Sequence, residues 1–503
     1  MGYTMITNLN ELPEFLAKAV IAKGGIYECT SPGLQLDEHL FQNAITIFKQ
    51  LTEQANQRYF YNAGRELKFG IIKSDHVGAF ASAGKGDVDF IGVNYGTIHL
   101  LSSLFSRLLS SELIFPDVGR SNAETRKGYS FFIPRIANSG IFEARRPNCS
   151  VRLAFAKHMA LAALTFIYSH EISHITKGHS RLKNTIKDGF RSSLNTLENQ
   201  ALELDADLGA IELTYDYMQF IRAAEERLNL DSDAAIKESW LTFYKNPIHN
   251  IRFVFFASYL PFRIHCDNHW NPEAQAANGQ PQPPFRMGIL MKSFATVLQE
   301  AYGLSEEESK VLVYQFSLES EKAYADIQAE SGEGELDLNA IDSFFENIGE
   351  YGLTVVEAFE KIEGELKSNA LIEKLCPSPA ESQKTSYVVI SGSRLASPYY
   401  AIVESRHCEK VENTLQIQCL SVDRVGDQPL QLSIAVSPNF EGNPLTDLLK
   451  TEALEALKEL EDIGSFEFIA LTDLKEQDTF IKWAFGCSNS VKLKFDIKSM
   501  MEE

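Results

Sequence analysis

The stretch RLAFAKHMALAALTFIYSHEISHITKG, from Arg152 to Gly178, constrains this chain more than any other. No proline or glycine interrupts it before Gly178, so it reads as one long helix with a glycine stop. Its apolar part, MALAALTFIY, is too short to span a bilayer and is bounded by Lys157-His158 and Ser169-His170. Near its end stand His170, Glu171 and His174. Residues i and i+4 leave a helix from the same face one turn apart, so both imidazoles can reach one metal ion. Zinc takes such nitrogens at about 2.0–2.1 Å. Glu171 follows the first histidine and falls on the flank of the metal, where a carboxylate can take a proton from an activated water.

A catalytic zinc needs a third protein ligand and one open position. A second helical stretch, LENQALELDADLGAIELTYDYMQFIRAAEERL, supplies candidates. Glu203 and Asp207 are again i and i+4; one can bind the ion while the other accepts the free N–H of a metal-bound histidine. Leu204, Leu208 and Ile211 form an adjacent stripe that would pack on the first helix. Asp205 points elsewhere and reads as a surface residue.

HEISH followed by ELDAD resembles the gluzincin metallopeptidases, with H-E-x-x-H and then E-x-x-A-D. The extended HEISHITKGH, with no membrane spans around it, is most similar to the soluble phage-exclusion (Lit-type) peptidases. The resemblance implies an α+β, zincin-like fold and a Zn2+ cofactor. It implies His170, His174 and Glu203 as zinc ligands, Glu171 as general base, and Asp207 as the carboxylate behind a ligand. It further implies cleavage of a protein substrate, in antiphage defence through a host protein. Such families carry a segment ending in arginine that contacts substrate; QPPFRM offers Arg286, placed in a loop by composition. His179 is a second candidate for substrate contact. A metzincin would need Gly and His three and six residues after the second histidine, whereas Gly178 and His179 lie four and five after His174. FIGVNYGTI, Phe90 to Ile98, reads as a strand: either a buried structural one or the edge along which an extended substrate pairs.

The rest of the chain bounds the alternatives. Residues 1–300 are expected to form the metallopeptidase domain. Residues 301–375 follow as an acidic helical segment, with 18 Asp and Glu against 5 Lys and Arg. From 385 to 503, alternating stretches such as SYVVISGS and LQLSIAVS, then a helix at PLTDLLKTEALEALKELEDI, suggest a C-terminal α+β accessory domain. A net charge of −21 argues against nucleic acid and anionic membrane as partners. Seven scattered cysteines without a CxxC pair, and an N-terminus without an export pattern, point to the cytoplasm. An unregulated cytosolic endopeptidase is hazardous, which leaves room for an activating or regulatory protein partner. Two other readings stay open: a regulatory protease that cuts a repressor, and a non-catalytic binding protein with a structural zinc.

Overall fold

A computed structural model describes residues 5–27, 38–83, 86–121, 146–187, 193–223, 233–265, 279–330 and 340–371, with the backbone of five strands between 386 and 470. Two compact units emerge: Met1–Met218 with Asn229–Cys376 and Lys494–Glu503, and Gln219–Leu228 with Pro377–Leu493.

The first unit is mostly helical with a small mixed sheet, an α+β organisation. Helices α1 (Glu14–Ala22) and α2 (Glu38–Ala55) precede strands β1 (Glu66–Ile72), β2 (Ala79–Ser82) and β3 (Val88–Asn94). β3 lies at the centre, parallel to β1 and antiparallel to β2. The strand expected through Ile98 therefore ends at Asn94, and Tyr95 opens helix α3 (Tyr95–Leu108). With both edges paired, β3 cannot accept a substrate strand, which corrects that expectation. N-terminal residues cover the outer side of β1, through Ile6 N–H to Phe69 O (2.7 Å) and Tyr27 N–H to Ile71 O (2.8 Å). Among the described residues, β2 is the uncovered edge of this sheet.

Helix α4 (Ser150–Thr176) is the long helix read from the sequence. Gly178 ends it with φ +87°, a left-handed turn that glycine adopts without strain. By length and composition α4 could cross a membrane, yet 61% of its apolar window is buried inside the fold. Tyr168 shows how it is held: its ring stacks on Phe48 at 4.6 Å and its hydroxyl pairs with Thr52 at 2.5 Å. At the other end Arg152 is fully buried. Its guanidinium donates to the carbonyls of Leu109, Ser111, Ile114, Phe115 and Val118 at 2.7–3.0 Å. One side chain thus closes the turn after α3 onto α4.

After α4 come α5 (His179–Lys187), α6 (Thr196–Ala223), α7 (Ala234–Tyr244) and α8 (Pro247–His265). Pro247 does begin a new helix, as its fixed φ and missing N–H favour at a first turn. Helix α9 (Pro283–Tyr302) starts at the proline pair, so Arg286 sits on its first turn and not in a loop. Residue 300 falls inside α9. Helices α10 (Glu306–Glu330) and α11 (Ala340–Asn369) then follow within the same compact unit, α10 starting at a capping box between Ser305 and Glu308.

The second unit contains a five-stranded sheet of β4 (Ser386–Arg394), β5 (Ser397–Ser405), β6 (Gln416–Ser421), β7 (Gln431–Val436) and β8 (Ser465–Ala470). Their order is β6-β5-β4-β7-β8, antiparallel except for the β7–β8 pair. The helix expected at PLTDLLKTEALEALKELEDI lies outside the described residues.

Candidate metal centre

The C-terminal turns of α4 and the middle of α6 meet at a buried cluster. His170 and His174 face each other with 3.0 Å between their Nε2 atoms. Glu203 Oε2 lies 3.4 Å from the first and 3.6 Å from the second. Three ligands at tetrahedral angles around zinc, each bonded at about 2.0–2.1 Å, stand about 3.3 Å apart. The observed spacings bracket that value, and two imidazoles with one carboxylate are a donor set for a divalent ion. The His-His-Glu group can therefore hold a metal.

Each imidazole turns its Nε2 toward the cluster. Asp207 is an acceptor only, so His170 Nδ1–H donates to its Oδ1 (2.9 Å), which makes Nε2 the nitrogen that faces His174 and Glu203. Burial disfavours charge on His170, but the hydrogen bonds and charges of Asp207 and Glu203 outweigh it and push its pKa up to about 9. Burial likewise works against the Glu203 and Asp207 carboxylates. His174 and His170 outweigh it at Glu203, Arg286 and His170 at Asp207, so both titrate below their usual range.

Glu171 is buried beside the pair, and no described residue hydrogen-bonds its carboxylate. Burial raises its pKa, with His170 and His174 opposing, Glu203 adding and Lys183 opposing. Lys183, partly exposed on α5, brings its ammonium 3.5 Å from Glu203 Oε1.

The structure adds partners to three of the residues singled out in the sequence. Arg286, the candidate for substrate contact, grips Asp207 through Nε and Nη2 at 2.7 and 2.6 Å, and its guanidinium covers the Phe262 ring at 4.2 Å. His179, the second candidate for substrate contact, is fully buried with both ring nitrogens engaged. Asp205, read as a surface residue, is buried between Lys177 and His179. The reason is common to all three. α6 is buried on every side from Gln200 to Ile211, so residues off the metal-facing stripe also meet protein. The signal available was the short distance from His174 to His179 across a glycine stop.

Close approach of the two helices depends on Gly209. A Cβ there would sit 2.5 Å from Ser173 Oγ, between the two histidines on α4. Gly209→Ala is expected to cost about 1–3 kcal/mol of stability and to weaken metal binding by pushing α6 off α4. Urea unfolding and a zinc competition titration would measure the two effects; a variant with native metal affinity would show that the helices can yield.

The chain matches no protein-family model, and comparisons with curated proteins and with solved structures give no significant match.

Proposed function

We propose that the chain is a cytoplasmic zinc-dependent endopeptidase with a zincin-like first unit. The observation carrying this reading is the convergence of His170 Nε2, His174 Nε2 and Glu203 Oε2 beside a carboxylate, Glu171, that no described residue hydrogen-bonds. Bound zinc supplies Lewis acidity, polarising a scissile carbonyl and lowering the pKa of a water to about 7. Glu171 accepts the proton of the attacking water on its carboxylate and later delivers it to the leaving amine. Its raised pKa suits both steps. Asp207, held by Arg286, keeps His170 oriented throughout. β2, the outer strand of the sheet among the described residues, is where an extended peptide would pair, and Asn184, next to Lys183, ties α5 to the residue after it through Ala83 O at 2.8 Å. A structural zinc would have no use for a buried base beside it, which disfavours a purely binding role. The resemblance to phage-exclusion peptidases supports cleavage of a host protein as the biological outcome.

Metal analysis of the purified chain, paired with mapping of new protein N-termini in cells expressing the native and Glu171→Gln forms, tests the reading. Stoichiometric zinc and N-termini found only with the native form are expected; a chain without divalent metal, or identical N-termini, would overturn it. Chelation is expected to lower the unfolding temperature, since a ligand present at a thousandfold its Kd adds about 4 kcal/mol. An unfolding temperature indifferent to chelator argues that no metal is held by the folded state.

A further inference from the structure

Resting on the metal reading above, we infer that Asp205 and His179 act as positioning residues that fix the proton arrangement of His174 and so present its Nε2 lone pair to zinc. His174 Nδ1 stands 3.0 Å from His179 Nδ1, and His179 Nε2 stands 2.9 Å from Asp205 Oδ2. Two imidazole nitrogens can form a hydrogen bond only if one carries a proton and the other does not. The order is set from the far end. A carboxylate only accepts, so His179 donates through Nε2–H to Asp205. A neutral His179 then has a bare Nδ1, which accepts from His174 Nδ1–H. That leaves the bare nitrogen of His174 on the side of His170 and Glu203.

Asp205 itself cannot turn away. Lys177 Nζ donates to its Oδ1 and to its backbone carbonyl, both at 2.8 Å, leaving Oδ2 for His179. The chain geometry explains why a histidine is interposed. His170 meets Asp207 directly, but Asp205 leaves α6 in a different direction, onto the turn between α4 and α5. Gly178 reverses the backbone there, so that His179, the first residue of α5, lies back against His174. The turn is closed from outside: Leu371 N–H donates to Thr176 O at 2.7 Å, and a Cβ at Gly178 would strike the backbone of Asn369 and Ala370 at 2.8 Å. The two metal-binding imidazoles are thus oriented by separate arms, Arg286–Asp207 for one and Lys177–Asp205–His179 for the other.

A near-isosteric pair isolates the hydrogen bonds from the packing. Gln can accept from His174 through Oε1 and donate to Asp205 through Nε2; Met has similar length and can do neither. Zinc affinity is read by competition with a fluorescent chelator, and folding by thermal unfolding in excess chelator. His179→Met is expected to bind zinc about 10–100-fold more weakly, and His179→Gln to recover to within a few-fold of native. Equal affinities in Met and Gln variants, whether native or weak, would overturn the inference by making His179 a spacer. Should His179→Met not fold, Asp205→Leu against Asp205→Asn repeats the comparison one link out, with the same difference expected and equality again overturning it. A native chain that binds no zinc removes the metal reading altogether; native binding with indifferent variants removes only this arm.

Discussion

Peptide hydrolysis by the Glu171→Gln chain is expected to fall by about 10²–10⁴-fold, with zinc still bound at native stoichiometry. The substitution keeps size and shape but leaves an amide that cannot take up the proton of an attacking water. Little else should change. Glu171 is not among the three converging ligands, and no described residue hydrogen-bonds its carboxylate, so folding loses no partner. The measurement is kcat/KM on a peptide taken from the mapped cleavage sites, with metal content determined on the same sample. Retained hydrolysis would remove Glu171 as base. Retained hydrolysis with lost metal would move the reaction away from this cluster entirely.

The second large effect is on stability. Arg152→Met is expected to cost about 3–5 kcal/mol, because every one of the carbonyls it holds loses a charged donor and most of them lie buried, with Phe115 O alone keeping a backbone donor, the N–H of Val118. Five of them accept from this guanidinium, and Arg152 itself is without solvent exposure. Arg152→Lys should restore only part, since an ammonium has three donors and no planar fork. The urea midpoint of the full chain and its rate of limited proteolysis report the loss. A midpoint within experimental error of native would mean that the turn after α3 finds other donors.

Much of the cluster was legible because it is local. His170 and His174 share a face by helical spacing alone, and Glu203 with Asp207 repeats the pattern on the next long helix. Gly178 and Pro247 mark ends for backbone reasons that need no tertiary context. What the sequence could not convey is which faces are covered. Asp205 is two residues from Glu203, so a reading with one buried face sends it to solvent; a helix enclosed on all sides sends it to Lys177 and His179. Arg286 looked like a loop cation because its neighbours are Gln and Pro, yet Pro283 and Pro284 open a helix that points it at Asp207. The centre position of β3 follows from its pairing with β1 and β2, and alternation along one strand carries no information about its partners. The acidic helices after residue 300 read as a separate segment from charge alone, while the fold places them in the same compact unit as the helices before them.

Because α4 holds both imidazoles while α6 holds Glu203, Asp205 and Asp207, neither helix has a complete site by itself. During synthesis the histidines leave the ribosome first, and they wait for Glu203, then for Arg286, before the last anchor of the cluster exists. A chain that ends before Glu203 therefore carries two of the three groups that could hold a metal ion, and one that ends before Arg286 lacks the cation that grips Asp207.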